Sequence, residues 1–300
     1  MSFNLISLAT NRWGPIYLQA LCNLLGRRQS YQLCDTISAY LARQRRLPFI
    51  AALYANMSVV RRISLDSPSL TADVAHQLSN AMHGYTDLYL LLSKRRERVL
   101  DRIELDQLSR QTLYDVFSSL EGTVLVGMHN TAFDMLILAL PEIFPAVQVL
   151  SNSEPRGSSR TMNVIRWRRG VEITPTSPAA LLEAGRNLRA GNTVALGADL
   201  PQQQGEQQEF FGRPSRLSGG YAELACMTGS RVLFGCIHAT GPGRYRAEIR
   251  PINPPAGLDR AQNVRAITIA VLRRMEACIR SRPHEWLMPY PVWSCPEPRA

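Results

Sequence analysis

From Gly122 onward the chain alternates short apolar runs with helix-spaced segments, and this alternation limits the fold more than any other feature. Thr123-Val-Leu-Val-Gly-Met128 lacks the every-second-residue polar break of a half-exposed strand, so it reads as a strand buried on both faces. Similar runs lie at Ala146–Leu150, Met162–Trp167, Val171–Thr174, Thr193–Gly197, Arg231–Ile237 and Tyr245–Arg250. Helical spacing at Phe133–Leu140, Pro178–Ala190 and Gly219–Met227 separates several of them. A last amphipathic helix spans Ala261–Arg280, with Val264, Ile267, Val271, Met275 and Cys278 on one face. Strands alternating with helices predict an α/β core.

The first 110 residues have a different texture. Ile16–Leu25, Ser38–Val60 and Ser69–Leu92 carry apolar residues at helical spacing, with Pro48 and Pro68 as punctuation and Ser69 or Thr71 as N-caps before Asp73. The chain therefore divides into an N-terminal helical region, 1–110, and an α/β core with its C-terminal helix, 111–300. The Pro-rich stretch Pro289–Ala300 is expected to stay out of the packed core.

Charge points to anionic partners. Arg and Lys number 34 against 24 acidic residues, a formal net charge of +10, and Lys94 is the sole lysine. The N-terminal clusters are Arg27–Arg28, Arg43/Arg45–Arg46, Arg61–Arg62 and Lys94–Arg95–Arg96/Arg98. They read either as solvated helix faces or as one basic surface for lipid headgroups, an acidic carrier protein or a phosphorylated donor. Nucleic acid is not expected, since aromatic and basic residues interleave only at Arg166-Trp-Arg-Arg169.

The six cysteines have no Cys-x-x-Cys pair or metal-ligand spacing and sit among apolar neighbours, as reduced core residues do. No metal and no cofactor are expected. No run of eighteen apolar residues and no secretory leader is visible, which predicts a cytoplasmic protein, peripheral on the inner membrane face if it touches a membrane. There is no Gly-x-Ser-x-Gly elbow, Walker loop, Gly-x-Gly-x-x-Gly or His-Glu-x-x-His, so serine-hydrolase, nucleotide-dependent and zinc-peptidase chemistry lack their motifs.

The segment that can carry chemistry is Gly127-Met-His-Asn-Thr-Ala-Phe-Asp134. A histidine directly after a buried strand emerges at the end of the sheet, where α/β proteins place their sites. Along an unbroken helix, residues five apart point about 140° away from each other. His129 and Asp134 can therefore meet only if His129 lies in the turn and Asp134 reaches back from the first turn of the helix. An Asp so placed would fix the imidazole tautomer and leave the other nitrogen to act as a base. The residues five past the other histidines are Ala81, Leu88, Gly243 and Pro289, so His129 alone has such a partner. The residues by themselves equally allow a buried, hydrogen-bonded structural histidine.

The H-x-x-x-x-D segment resembles the signature of the glycerolipid and lysophospholipid acyltransferases. The run Gly197-Ala-Asp199-Leu-Pro-Gln-Gln-Gln-Gly205, then Glu209-Phe-Phe-Gly212, then Gly219–Gly229 is similar to the lipid A biosynthesis (late) acyltransferase branch, which includes phosphatidylinositol mannoside acyltransferases. The likeness spans roughly Gly122 to Trp293. It implies a bacterial acyltransferase with a mixed sheet flanked by helices, His129 as general base and Asp134 as its partner. It also implies substrate contacts from Asn130, Thr131, Phe133, Arg166 and its rival Arg168, with Asp199 at the mouth of the site and Phe210, Phe211 and Gly212 along the wall of an acyl or acceptor groove. Read without the family, Arg166-Trp-Arg-Arg is an exposed strand.

The chain departs from the branch in carrying Thr131, Phe133 and Asp134 where His-x-Gly-x-Trp-Glu is usual. It keeps Pro283-His-Glu-Trp286 but not the basic tail that follows, and shows no N-terminal anchor. The resemblance implies transfer of a fatty acyl group from acyl-CoA or acyl-carrier protein to a hydroxyl or amine of a lipid-like acceptor. A soluble or carrier-bound acceptor, a thioester hydrolase and an acyl-binding protein of the same fold are the alternatives.

Overall fold

The computed structural model describes residues 11–93, 97–151, 158–203 and 205–293. Three helices lead: α1 (Gly14–Ala42), α2 (Pro48–Arg61) and α3 (Pro68–Leu92). There follow β1 (Ile103–Leu105), α4 (Gln107–Phe117), β2 (Thr123–Gly127), α5 (Phe133–Ile143), β3 (Val147–Ser151), α6 (Ser158–Arg168), β4 (Ile173–Pro175), α7 (Pro178–Arg189) and β5 (Thr193–Gly197). A small hairpin, β6 (Gln208–Phe210) and β7 (Arg213–Ser215), precedes α8 (Gly220–Thr228), β8 (Arg231–Gly241), β9 (Arg244–Ile252) and α9 (Arg260–Ser281).

The main sheet is mixed, in the order β1-β9-β8-β2-β5-β3-β4. β2 lies between β8 and β5, parallel to both, and β8 turns back antiparallel into β9. Alternate residues of β2 serve two cores. Val124 and Val126 pack with α7, α8 and α9, while Leu125 packs with α3 and α5 on the other face. That double burial explains the uninterrupted apolar run. A third cluster joins α1, α2 and α3 around Ile50, Leu53, Met57, Leu70 and Val74.

Helix starts follow their local chemistry. Pro48, Pro68 and Pro178 open helices at a position whose N–H has no partner anyway. Asp106 and Ser177 cap α4 and α7, and Asp259 with Gln262 closes a capping box on α9. The cap of α3 is Ser67, not Ser69 or Thr71, because Pro68 already fixes the first helical residue.

Three expectations change. Met162–Trp167 is the body of α6 rather than a strand: Met162 and Ile165 face the core at helical spacing, while the β-branched Val164 that suggests a strand is exposed. Ile103–Leu105 pairs with Tyr245–Ala247, so the sheet begins before residue 110. The Pro-rich segment is packed in at Val292 and Trp293; its remainder, 294–300 with Cys295, lies outside the described residues, as does Lys94–Arg96. The other five cysteines are unpaired and buried or half-buried.

Candidate active site

β2 and β5 run side by side in parallel with Gly127 opposite Gly197. Two residues beyond each glycine the chain delivers His129 and Asp199 to the same end of the sheet. His129 Nδ1 lies 2.7 Å from Asp199 Oδ1, and the His129 backbone N–H donates to Oδ2 at 2.8 Å. Gly197 makes room for this approach, since a Cβ there would meet His129 Cε1 at 3.3 Å. An ionised carboxylate only accepts, so Nδ1 carries the proton and Nε2 is left with its lone pair. Among the described residues nothing hydrogen-bonds Nε2, and the imidazole keeps 29% of its side-chain exposure.

Burial alone would lower the proton affinity of His129. The Asp199 carboxylate reverses this through charge and hydrogen bond, with help from Asp134 and against Arg166, so the pKa is raised above its ordinary 6.5. Asp199 shifts the other way: burial pushes it up, but His129 and the indole N–H of Trp286, 2.9 Å from Oδ2, hold it below its ordinary value.

Asp134 stands in the first turn of α5, where a carboxylate is favoured by the helix dipole. No hydrogen bond joins it to His129. The partnership expected from the H-x-x-x-x-D spacing is made instead by Asp199, because the register of β2 and β5 brings that residue to the Nδ1 side. Asp134 is gripped by Arg166 through Nε at 2.9 Å and Nη2, while Asn163 Oδ1 takes Arg166 Nη1 at 2.6 Å. Burial lowers the Arg166 pKa and Asp134 more than restores it, so the guanidinium stays charged. The Phe133 ring lies between the two pairs, 5.2 Å from the imidazole centroid and 5.8 Å from Arg166 Cζ.

The other sequence candidates fall in different places. Asn130 and Thr131 are buried in the turn after His129, and their backbone is held by the segment 285–287. Thr131 N–H donates to the Glu285 carbonyl at 2.7 Å, Leu287 N–H donates to the His129 carbonyl at 2.8 Å, and the Thr131 hydroxyl donates to the Glu285 carboxylate. Asp199 is at the floor of the site, fully buried, rather than at its mouth. Arg166 lies across Asp134, and Arg168 is exposed on the last turn of α6. Phe211 and Gly212 form the two-residue turn of the β6–β7 hairpin, both with positive φ, as a type I′ turn requires. Phe210 and Phe211 are buried against Trp286 and Trp293. A cavity of about 310 Å³ opens beside Thr131 and Ala132, between Gly84, Ala239, Gly241 and the ring of Tyr31.

Sequence reasoning gives no site role to Trp286, Gln77 or Asn56: Trp286 shows only as the end of Pro283-His-Glu-Trp286, Asn56 only in a weak likeness to the family over Arg45–Arg62, and Gln77 not at all. Among the described residues no group of three or more His, Cys, Asp or Glu is placed to hold a metal ion.

A mixed sheet carrying a carboxylate-held histidine at the carboxyl ends of adjacent parallel strands has the layout of an α/β protein whose site lies at that end of the sheet. The chain belongs to the bacterial lipid A biosynthesis acyltransferase family, whose model matches residues 13–294. It is also similar to a phosphatidylinositol mannoside acyltransferase of Mycolicibacterium smegmatis, with 26% identity over 197 residues. That alignment covers 63% of this chain and 62% of the relative, so the chain spans less than two thirds of the relative's length.

Proposed function

We propose that this protein transfers a fatty acyl group from a thioester, acyl-CoA or acyl-carrier protein, to a hydroxyl or amine of a lipid-like acceptor, with His129 as general base. The observation that carries the reading is the His129–Asp199 pair: Nδ1 is committed to a buried carboxylate, while Nε2 is free on a partly exposed ring. Nε2 takes the proton from the acceptor as its oxygen or nitrogen attacks the thioester carbonyl carbon. The tetrahedral intermediate then collapses, the C–S bond breaks, and the imidazolium returns the proton to the departing thiolate. Asp199 stabilises the imidazolium between these steps. Arg166, fixed by Asp134 beside the Phe133 ring, supplies positive charge near the developing oxyanion.

A lipid surface as the source of the acceptor is favoured by one further feature. Trp13, the residue before α1, and Ile16, Tyr17, Leu21 and Leu24 in its first half are exposed and recur at helical spacing, and neighbouring α6 exposes Val164 and Trp167. Leu24 is 84% exposed and Trp167 68%, unusual values for side chains with nothing to cover them. Arg12 and Arg28 lie on the same stretch of chain as the stripe and Arg160, Arg168 and Arg169 in or next to α6, and none of them is ion-paired among the described residues. Trp13 to Leu25 extends only about 20 Å as a helix, and no helix among the described residues is long and apolar enough to cross a membrane. Aromatic, apolar and arginine side chains in this arrangement suit the plane of an anionic interface.

Purified protein and its His129→Ala variant, given decanoyl and palmitoyl thioesters of CoA and of carrier protein, test the reading. Each reaction receives either a bacterial lipid extract or a soluble metabolite extract. Labelled acyl product in the lipid fraction, lost in the variant with its circular dichroism intact, is the expected outcome. Thiol release without a labelled acceptor would make the protein a thioester hydrolase. Label in the soluble fraction would replace the lipid acceptor.

A further inference from the structure

Asp199 is held from its far side by a residue with no part in proton transfer. Trp286, 1% exposed, donates its indole N–H to Asp199 Oδ2, the oxygen that also accepts from the His129 backbone. Two donors of fixed direction thus converge on Oδ2, and Oδ1 is left for the imidazole. A carboxylate bonded only by imidazole and one amide could rotate about its Cβ–Cγ bond and carry the ring with it. The indole removes that freedom.

Trp286 is itself fixed from every side. The Gln77 side-chain amide on α3 donates to its carbonyl, and the residues flanking it bond the backbone of Thr131 and His129. The ring packs edge-on against Phe210 and Trp293, at centroid distances of 6.3 and 6.2 Å. Trp293 is tied to the Phe210 carbonyl by its own indole N–H at 3.0 Å. Asn56 on α2 bonds Met288 O, Tyr290 O and Val292 N, so the whole segment from 286 to 293 is seated by buried side chains. Phe211 adopts a left-handed backbone, unfavourable for a side chain of its kind. Its N–H is taken by Glu276 at 2.6 Å and its ring packs edge-on to Trp293. The Phe-Phe-Gly turn supports the aromatic cluster under Trp286.

We propose that Trp286 is a positioning residue of the active site: it sets the orientation of Asp199, and through it that of His129. The turn 285–287, through Trp286, is then part of what prepares the base. This rests on His129 being that base, but the coupling from Trp286 to His129 can be read without turnover.

Two variants remove the N–H: Trp286→Phe, and site-specific replacement of Trp286 by β-(3-benzothienyl)alanine, which keeps the ring volume. Trp293→Phe is the control, because it removes an indole hydrogen bond from the same cluster without touching Asp199. The readouts are kcat and KM for acyl transfer, and the His129 pKa from NMR titration of labelled histidine, assigned with His129→Gln. The charged groups facing His129 are Asp199, Asp134 and Arg166, and neither substitution at Trp286 alters them. Withdrawing a donor from Asp199 makes the pair a stronger proton acceptor. Both Trp286 variants are expected to raise the His129 pKa and to lower kcat by about tenfold or more with little change in KM, the effect of losing a buried hydrogen bond to a charged group. Trp293→Phe is expected to lower Tm and leave the His129 pKa in place. An unchanged pKa in both Trp286 variants overturns the proposal. So does a pKa change reproduced by Trp293→Phe, which would reduce Trp286 to a packing role. A wild type that transfers no acyl group would defeat the functional reading, and the titration would still decide this one.

Discussion

His129 Nδ1 and Asp199 Oδ1 are 2.7 Å apart because each residue follows, by two positions, one of a pair of glycines that face each other across β2 and β5. The pairing makes the held imidazole a property of strand register. It also divides the work of two carboxylates: Asp199 holds the imidazole, and Asp134 holds the guanidinium of Arg166.

That division predicts a thermodynamic cycle. The Arg166 and Asp134 side chains are 12% and 7% exposed, so removing either partner leaves a buried charge unmatched. Asp134→Ala or Arg166→Met alone should cost about 3 kcal/mol in urea unfolding, and the double variant clearly less than the sum. Additive losses would show that the pair is not coupled. The acidic limb of the activity profile should move in opposite directions. Arg166 lowers the His129 pKa, so its removal shifts the limb up; Asp134 raises it, so its removal shifts the limb down.

A second prediction concerns the approach of α3 to the turn that carries His129. A Cβ on Gly84 would lie 2.5 Å from the Thr131 carbonyl oxygen, a contact with backbone that cannot yield easily. Gly84→Ala should therefore lose about 1–3 kcal/mol, although alanine normally favours a helix over glycine. Its activity should fall with stability, since Thr131 is two residues from His129. Gly185→Ala in α7, where the added carbon meets only the end of Arg189, should instead gain about 0.5–1 kcal/mol. Thermal unfolding of the two variants side by side checks the difference in sign.

A third arises where the N-terminal helices join the sheet. Asp87, towards the C-terminal end of α3 and 4% exposed, accepts from Arg27 Nε at 2.7 Å, the Tyr31 and Tyr245 hydroxyls at 2.6 Å each, and the Gly243 N–H at 3.0 Å. The Tyr31 and Tyr245 hydroxyls are pushed far above the ordinary phenol range by burial first and then by this carboxylate. Asp87→Leu should cost about 3 kcal/mol or more, because four donors lose one acceptor. Hydrogen exchange should show the β8–β9 turn opening first.

Much of the fold was legible because burial writes itself into apolar runs. Thr193–Gly197 and Pro178–Arg189 fall within a residue of their sequence limits. Met162–Trp167 misleads since Val164 and Ile165 are adjacent β-branched residues, and only their tertiary setting separates an exposed one from a packed one. His129 stands out by following a buried strand. Its true partner does not, because Asp199 lies 70 residues downstream and meets it only through the pairing of β2 with β5. The nearer Asp134 satisfies the spacing and is drawn away by Arg166. Asp87 is still less visible: an acid within an apolar helix gives no sign that four donors from three elements will converge on it.

The pH dependence of acyl transfer by wild type and Asp199→Asn tests the central claim most directly. A neutral base and a raised His129 pKa mean that wild-type kcat should climb with pH through a value above 6.5. Asparagine removes the main influence that raises this pKa, so the limb should move to lower pH, and kcat should fall about 10³-fold as the tautomer is lost. A variant that keeps the wild-type limb and rate would contradict the account, since His129 would then owe neither its charge state nor its orientation to Asp199.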